Sequence, residues 1–446
     1  MMTEKKEYIT QIENLSAEQI ADGISIGIVT FDELRRTGAF DASKQKSVKN
    51  ILKKKDDDTF ASAQTIRDLQ NYLRVFPNGS NVSAAQAKMQ QLQDDENAEE
   101  RKYNDRERML RKIKEDINEY APDEIVEILS ENDLNSLCET LGINATTVKN
   151  YTQPTLNFND IPQNESDIPA DYTDIFFWGI PSSGKTCALA AILSTITKDY
   201  TMEAPDTHQQ FGSTYRTSLI NMFRNNIGNL PNRTATDRTQ YMPFLFYKRG
   251  EKNKRKISFF ELSGEVFQYF FEVVNNSQII DDYNREGIEN SFKTLELLLN
   301  SNNQKIHYFF IDYNQETKHT EDTKGLTQSN YLEAAAVYFR DRNNIFRKKT
   351  DAVYVVITKS DEIKGDNKID IAKAFLQENF GSFMDVLKNQ CQRNSVDFKV
   401  KLFSIGDVYF KRICKIDRSY SNDIIQDLLK RVKPVSNNVI KKFFNS

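Results

Sequence analysis

Cysteine, histidine and tryptophan are scarce in this 446-residue chain, which has four, three and one of them. Cys138, Cys187, Cys391 and Cys414 stand far apart with no C-x-x-C pair, and only His208, His307 and His319 could join them. That scatter excludes a recognisable zinc site or a disulfide framework and predicts reduced thiols. Charge of one sign is missing too. Sixty basic against 64 acidic side chains leave a net −4, which gives no global argument for nucleic acid or an anionic membrane. No apolar run nears the ~20 residues of a membrane span, and the opening MMTEKKEYIT has no secretory apolar core. The expectation is a cytoplasmic protein. What is present is 39% hydrophobic and 28% charged residues, enough to build a core in more than one domain.

Residues 1–75 read as a helical module. Ser16 caps a helix that places Ile20, Ile24 and Ile28 four residues apart, Thr30 caps a second that stops at Gly38, and DASKQKSVKNIL is a third short helix. Residues 76–118 are strongly charged with sparse apolar positions, which fits an exposed helix, a short coiled coil or a disordered linker. Residues 119–150 contain LCETLGINATTVKN, a helix to Leu141, Gly142 in the turn and a second helix through Val148. The outline resembles a DNA-reading helix-turn-helix. Asp123, Glu124, Glu127, Glu131, Asp133 and Glu139 crowd it and Lys149 is its one basic residue, so DNA is disfavoured and a protein partner docked by the helical modules is expected. The Pro-, Asn- and Asp-rich stretch 151–172 reads as a linker to one larger domain, 173–446.

That domain carries short apolar runs, DIFFWG, MPFLFYK, ISFFEL, HYFFID, AVYVVIT and VKLFSI, separated by helical stretches. The pattern predicts an α/β fold with a doubly wound, mostly parallel sheet. MPFLFYKRGEKNKRKISFFEL reads as a hairpin, which makes one strand antiparallel. Gly179-Ile-Pro-Ser-Ser-Gly184-Lys185-Thr186 matches G-x-x-x-x-G-K-[ST] directly after a strand and before a helix. In such a loop the amides around Ser182, Ser183 and Gly184 and the helix N-terminus wrap a phosphate, Lys185 reaches the β- and γ-phosphates, and Thr186 offers its hydroxyl to Mg²⁺.

Downstream, Glu261-Leu-Ser-Gly264 follows a strand, Thr358-Lys359-Ser360-Asp361 follows another, and Ser404-Ile405-Gly406 follows the last. In this order the series resembles P-loop GTPases of the TRAFAC (translation-factor-like and Ras-like) class, over nearly all of the final domain. The Gly264-Glu265 pair is similar to the bacterial double-GTPase type. The resemblance implies a P-loop GTPase-like domain preceded by small all-α modules, binding GTP or GDP with Mg²⁺. It implies that Glu261, in place of the usual Asp, serves the metal and that Gly264 senses the γ-phosphate. It further implies that Glu265 would orient the attacking water and that Thr358, Lys359 and Asp361 would select guanine, with Ser404 and Ile405 presenting amides to its O6. Asp361 accepts from the N1 and N2 donors of guanine, which adenine lacks. The class also places a metal-binding threonine before the hairpin, for which Thr239 is first choice and Thr234 second, with Thr236 nearby, and Arg233 or Arg238 could act on transition-state charge. The implied function is a nucleotide-dependent switch with GTP hydrolysis. Two alternatives use the same loop: an ATPase with Asp312 as its Mg²⁺-side acid, and a pseudo-GTPase that holds nucleotide without turnover.

Overall fold

The computed structural model describes residues 2–152, 154, 156, 161–205, 211–231, 239–251, 253–314, 325–342 and 344–435. The chain divides into two compact units, Met1–Asp116 and Ile117–Ser446.

The first unit is helical: α1 (Met2–Thr10), α2 (Ala17–Ser25), α3 (Phe31–Arg35), α4 (Ala42–Ser62), α5 (Ile66–Val75) and α6 (Val82–Glu115). Ser16 with Gln19 and Thr30 with Glu33 close capping boxes at the starts of α2 and α3, each cap satisfying amides the first turn leaves orphaned. Ile20 is fully buried against Leu34 and Val48. Ile28 packs on the same cluster from beyond the end of α2, so the four-residue spacing continues into the turn. The third helix is not short. It runs 21 residues, because after the apolar spacing lapses at Leu52 its Asp56 is buried and accepts from Tyr72 Oη, from Ser80 N at 2.6 Å and from Ser80 Oγ at 2.8 Å. The charged 76–118 stretch forms the 34-residue helix α6, buried only at Ala85 and Ile113.

The second unit begins with α7 (Pro122–Ile128), α8 (Glu131–Leu141) and α9 (Ala145–Lys149), with Gly142 ending α8 at φ 65°. Beyond 161 come β1 (Thr173–Trp178), α10 (Lys185–Asp199), β2 (Tyr200–Glu203), α11 (Ser213–Met222), β3 (Ile227–Asn229), β4 (Gln240–Lys248), β5 (Arg255–Glu261), α12 (Val266–Asn275) and α13 (Asp282–Asn300). These are followed by β6 (Gln304–Asp312), α14 (Gln328–Asp341), β7 (Thr350–Thr358), α15 (Lys368–Arg393), β8 (Asp397–Leu402), β9 (Gly406–Tyr409), β10 (Ile413–Ile416) and α16 (Ser419–Arg431). Seven strands form one sheet in the order β2-β4-β5-β1-β6-β7-β8. Among the described residues β4 pairs antiparallel with β2 and with β5, and the other pairs of this sheet are parallel. This is the expected α/β fold, a mostly parallel sheet with one antiparallel strand. A second, three-stranded antiparallel sheet, β3-β10-β9, has no counterpart in the sequence reading.

All six residues of β1 are buried. Phe176 and Trp178 point into one core with Phe270, Phe309 and Phe339, while Ile175 and Phe177 enter the other with Leu189, Ile192 and Phe244. The alternation follows from the two-residue period of a strand, and each such aromatic removed from water contributes about 1.5–3 kcal/mol. His307 belongs to this core. Its Nδ1 accepts from Trp178 Nε1 at 3.0 Å, and burial holds its pKa down to about 3, so it stays neutral. Among the described residues no helix is long and apolar enough to cross a membrane.

Candidate nucleotide site

The parallel strands bring their C-terminal ends to one edge of the sheet, the place where open α/β sheets bind ligands. Phe177 pairs with Glu261, Trp178 with Phe309, and Asp312 with Thr358. The loop after β1 turns sharply. Gly179 has φ 150°, and a Cβ there would lie 2.5 Å from Ser183 Oγ and 2.8 Å from Phe310 O. Ser182 takes φ 63° without being glycine, a conformation that costs on the order of 1 kcal/mol and turns successive amides toward one side. Lys185 is buried, with Nζ donating to Gly179 O at 2.6 Å and Ile180 O at 2.9 Å. The loop is braced from behind by Thr358, whose hydroxyl lies 2.9 Å from Ser183 O and 3.2 Å from Ile311 O.

A cavity of about 490 Å³ opens over this loop, within the range of small-molecule sites. It gathers Ser182, Ser183, Gly184, Lys185, Thr186, Glu261, Gly264 and Glu265. Gly264 comes so close to the loop that a Cβ would sit 2.2 Å from Pro181 N, so only glycine lets the end of β5 and the phosphate loop approach this closely.

Thr186 Oγ1 donates to Glu261 Oε1, and Tyr215 Oη donates to Glu261 Oε2 at 2.7 Å. Burial pushes the Glu261 carboxyl above its ordinary value of 4.5, against the two hydroxyls and Lys185, which lower it. The folded state therefore holds this proton more tightly than the unfolded chain. That contribution to stability is present in full below pH 4.5 and is lost as pH rises through the raised pKa. Glu261→Gln should stabilise the nucleotide-free protein near neutral pH, with the gain vanishing in acid. The denaturation midpoints of variant and wild type across pH would show it, and a difference that does not change with pH would contradict it.

The chemistry of this donor set fits Mg²⁺: a buried carboxylate and a hydroxyl beside a phosphate loop. Among the described residues no group of three or more His, Cys, Asp or Glu forms a metal cluster. A hard cation that keeps waters and takes phosphate oxygens needs only one or two protein ligands. Glu265 lines the cavity, is buried, and accepts from Ser263 Oγ.

Other expected residues lie outside the cavity. Thr239 is fully buried, its hydroxyl without a hydrogen-bond partner among the described residues, and it does not line the cavity. Thr234, Thr236, Arg233 and Arg238 lie outside the described residues. Asp312 sits at the end of β6 with its carboxylate 2.7 Å from Lys359 Nζ, and its Oδ1 accepts from Asn314 N at 2.9 Å.

Lys359 adopts φ 55° at the end of β7. Ser360 N then donates to Phe403 O at 3.2 Å and Phe403 N to Ile357 O at 2.8 Å, which ties the T-K-S-D turn to the loop bearing Ser404 and Ile405. Within that loop Gly406 N donates to Ser404 Oγ at 3.1 Å. The Asp361 side chain is exposed. Cys187 lines the cavity, and Cys414 Sγ lies 3.5 Å from Ile405 O. Burial pushes the Cys187 thiol up to about 12, with Glu261 raising and Lys359 lowering it. Burial likewise pushes Cys414 up, with Cys187, Asp407 and Asp361 adding to the shift.

Three contributors escaped sequence reading. Tyr215 comes from α11, in the segment that separates the phosphate loop from the hairpin. Lys411 and Arg412 come from the turn between β9 and β10 and line the cavity. Nothing in the order of motifs marks them.

No family model and no curated protein matches the chain. Solved structures align with it at low similarity. One is a Plasmodium falciparum protein assigned as nucleolar GTP-binding protein 1, at 13% identity and TM-score 0.25, covering 59% of this chain and 89% of that one. A signal recognition particle receptor SRb-GTP/SRX complex from Chaetomium thermophilum aligns at 15% identity and TM-score 0.26, covering 54% and 94%. An oligomerised bacterial dynamin pair aligns at 12% identity and TM-score 0.23, covering 87% and 52%. At such TM-scores these likenesses assign nothing to this chain.

Proposed function

We propose that the Ile117–Ser446 unit binds Mg²⁺·GTP and acts as a nucleotide-dependent switch with slow GTP hydrolysis. One observation carries the reading: the acid bonded to the phosphate-loop threonine is Glu261, at the end of β5, the strand hydrogen-bonded directly to β1. The ATPase alternative needs Asp312 in that place, and its carboxylate is paired with Lys359 instead. Thr186 and Glu261 would hold the metal, which when bound neutralises charge on the phosphates. Lys185 and the loop amides would bind the phosphates, and Asp361 would select the base. Thr239 is buried and does not line the cavity, so in this reading the protein ligands of the metal would be Thr186 and Glu261. The helical modules would dock a protein partner. DNA does not suit 122–149, because Lys149 is spent on Glu131 at 2.6 Å and phosphate contacts require free cations.

A non-hydrolysing reading draws on the same carboxylate. Both oxygens of Glu261 are engaged, by Thr186 and by Tyr215, where a longer acid already reaches the threonine without an intervening water. Single-turnover phosphate release from bound GTP separates the two. Release in the presence of Mg²⁺ is expected of the switch. Saturable GTP binding without release would select the pseudo-GTPase.

A further inference from the structure

Lys411 and Arg412 face the phosphate loop from a turn that is costly to make. Tyr409, Phe410, Lys411 and Arg412 form a tight hairpin turn closed by Arg412 N donating to Tyr409 O at 3.2 Å. Its two central residues, Phe410 at φ 53° and Lys411 at φ 58°, are both left-handed and neither is glycine. Turns of this kind normally use Asn-Gly or Gly, and each bulky residue held there costs on the order of 1 kcal/mol. Such strain persists only where the surroundings over-determine it.

Here they do. Phe410 is fully buried. Asn118, two residues into the second unit, grips the turn from both sides: its Nδ2 donates to Val408 O at 3.0 Å and its Oδ1 accepts from Lys411 N at 3.1 Å. Arg412 O accepts from Leu230 N at 2.7 Å, so the same turn holds the strand end that leads into the expected switch segment.

The charge count gives this geometry a purpose. The cavity's charged lining is Lys185, Lys411 and Arg412 against Glu261 and Glu265. Without the hairpin pair the carboxylates outnumber the cations, a poor receptacle for a triphosphate. Among the described residues neither Lys411 nor Arg412 has an ion-pair partner. Both share the cavity with Ser263, Gly264 and Glu265, the γ-phosphate end of the expected site, and not with Asp361 or Ser404 at the base end.

We infer that Lys411 and Arg412 are phosphate-binding cations of the nucleotide site, discriminating GTP from GDP, and that Asn118 is the residue that positions them. The inference rests on the GTP-binding reading above. It also gives the helical segment α7–α9 a route to the nucleotide, since Asn118 lies just ahead of α7 and closes on the hairpin.

The test is equilibrium titration of the full chain with GTP and with GDP at fixed Mg²⁺, for wild type, Lys411→Ala/Arg412→Ala, Asn118→Ala and Asn118→Asp. Loss of the cation pair should weaken GTP by roughly 10- to 100-fold, the worth of one charge-assisted hydrogen bond, and weaken GDP much less. Asn118→Ala should shift the GTP-to-GDP ratio in the same direction. Asn118→Asp keeps the acceptor for Lys411 N and should recover part of the ratio, which a general loss of stability would not do. Equal losses for GTP and GDP, or none, while wild type binds GTP would overturn the inference and leave the nucleotide reading standing. Failure of wild type to bind GTP would overturn both.

Discussion

Lys185→Ala is expected to lower affinity for GTP and GDP alike by roughly 10²- to 10⁴-fold, the loss of two charge-assisted hydrogen bonds at about 1.5–3 kcal/mol each. The loop itself holds the side chain in place. Burial and two carbonyl acceptors at 2.6 and 2.9 Å hold its ammonium against the loop backbone. A phosphate has only to replace those carbonyls, so little ordering is left for the moment of binding. The substitution also removes both carbonyl contacts, so chemical denaturation should accompany the titration and show a folded protein of modestly lower stability. Lys185→Arg should not restore full affinity, because a planar fork does not reproduce a compact ammonium. Unchanged nucleotide affinity in Lys185→Ala would remove the phosphate-loop assignment.

Asp361→Asn is expected to cost GTP on the order of 100-fold in affinity and to leave ATP unaffected, so that the preference for guanine collapses. The carboxylate accepts from two donors on guanine, and an amide keeps an acceptor for only one of them. The same amide nitrogen would meet a carbonyl if C2 of the base carried one. Xanthosine triphosphate should therefore regain affinity in the variant and bind wild type poorly. Asp361 is exposed, so the change should leave the denaturation midpoint nearly untouched. If GTP and ATP bind the variant as they bind wild type, the base is read elsewhere.

Much of the sheet was legible, and the stretches that line the cavity could be singled out, because buried parallel strands read as apolar runs that stop at a polar residue. The runs ended where β5, β6 and β7 end, at Glu261, Asp312 and Thr358. Gly264 was singled out by spacing, and the structure supplies the reason, a backbone contact with Pro181. The small sheet was illegible since its strands have three or four residues, too few for alternation to show. The full length of α4 was hidden because its second half is held by the buried Asp56 network and not by an apolar stripe. Tyr215, Lys411 and Arg412 were missed for another reason. Each reaches the site through space, from an added helix or a hairpin turn, and no motif predicts which polar residue of such a segment will face the cavity. Asp312 also stands at a strand end, and its 2.7 Å pairing with Lys359 Nζ is something that position alone does not announce.

The central claim is that this loop binds a guanine nucleotide, and calorimetric titration of the full chain with GTP and with ATP, each with Mg²⁺, tests it most directly. Saturable one-site binding of GTP at least about 100-fold tighter than ATP is expected, since the two donors that the Asp361 carboxylate would accept from are present on guanine and missing on adenine. Equal affinity for the two nucleotides, or binding of ATP alone, would contradict it.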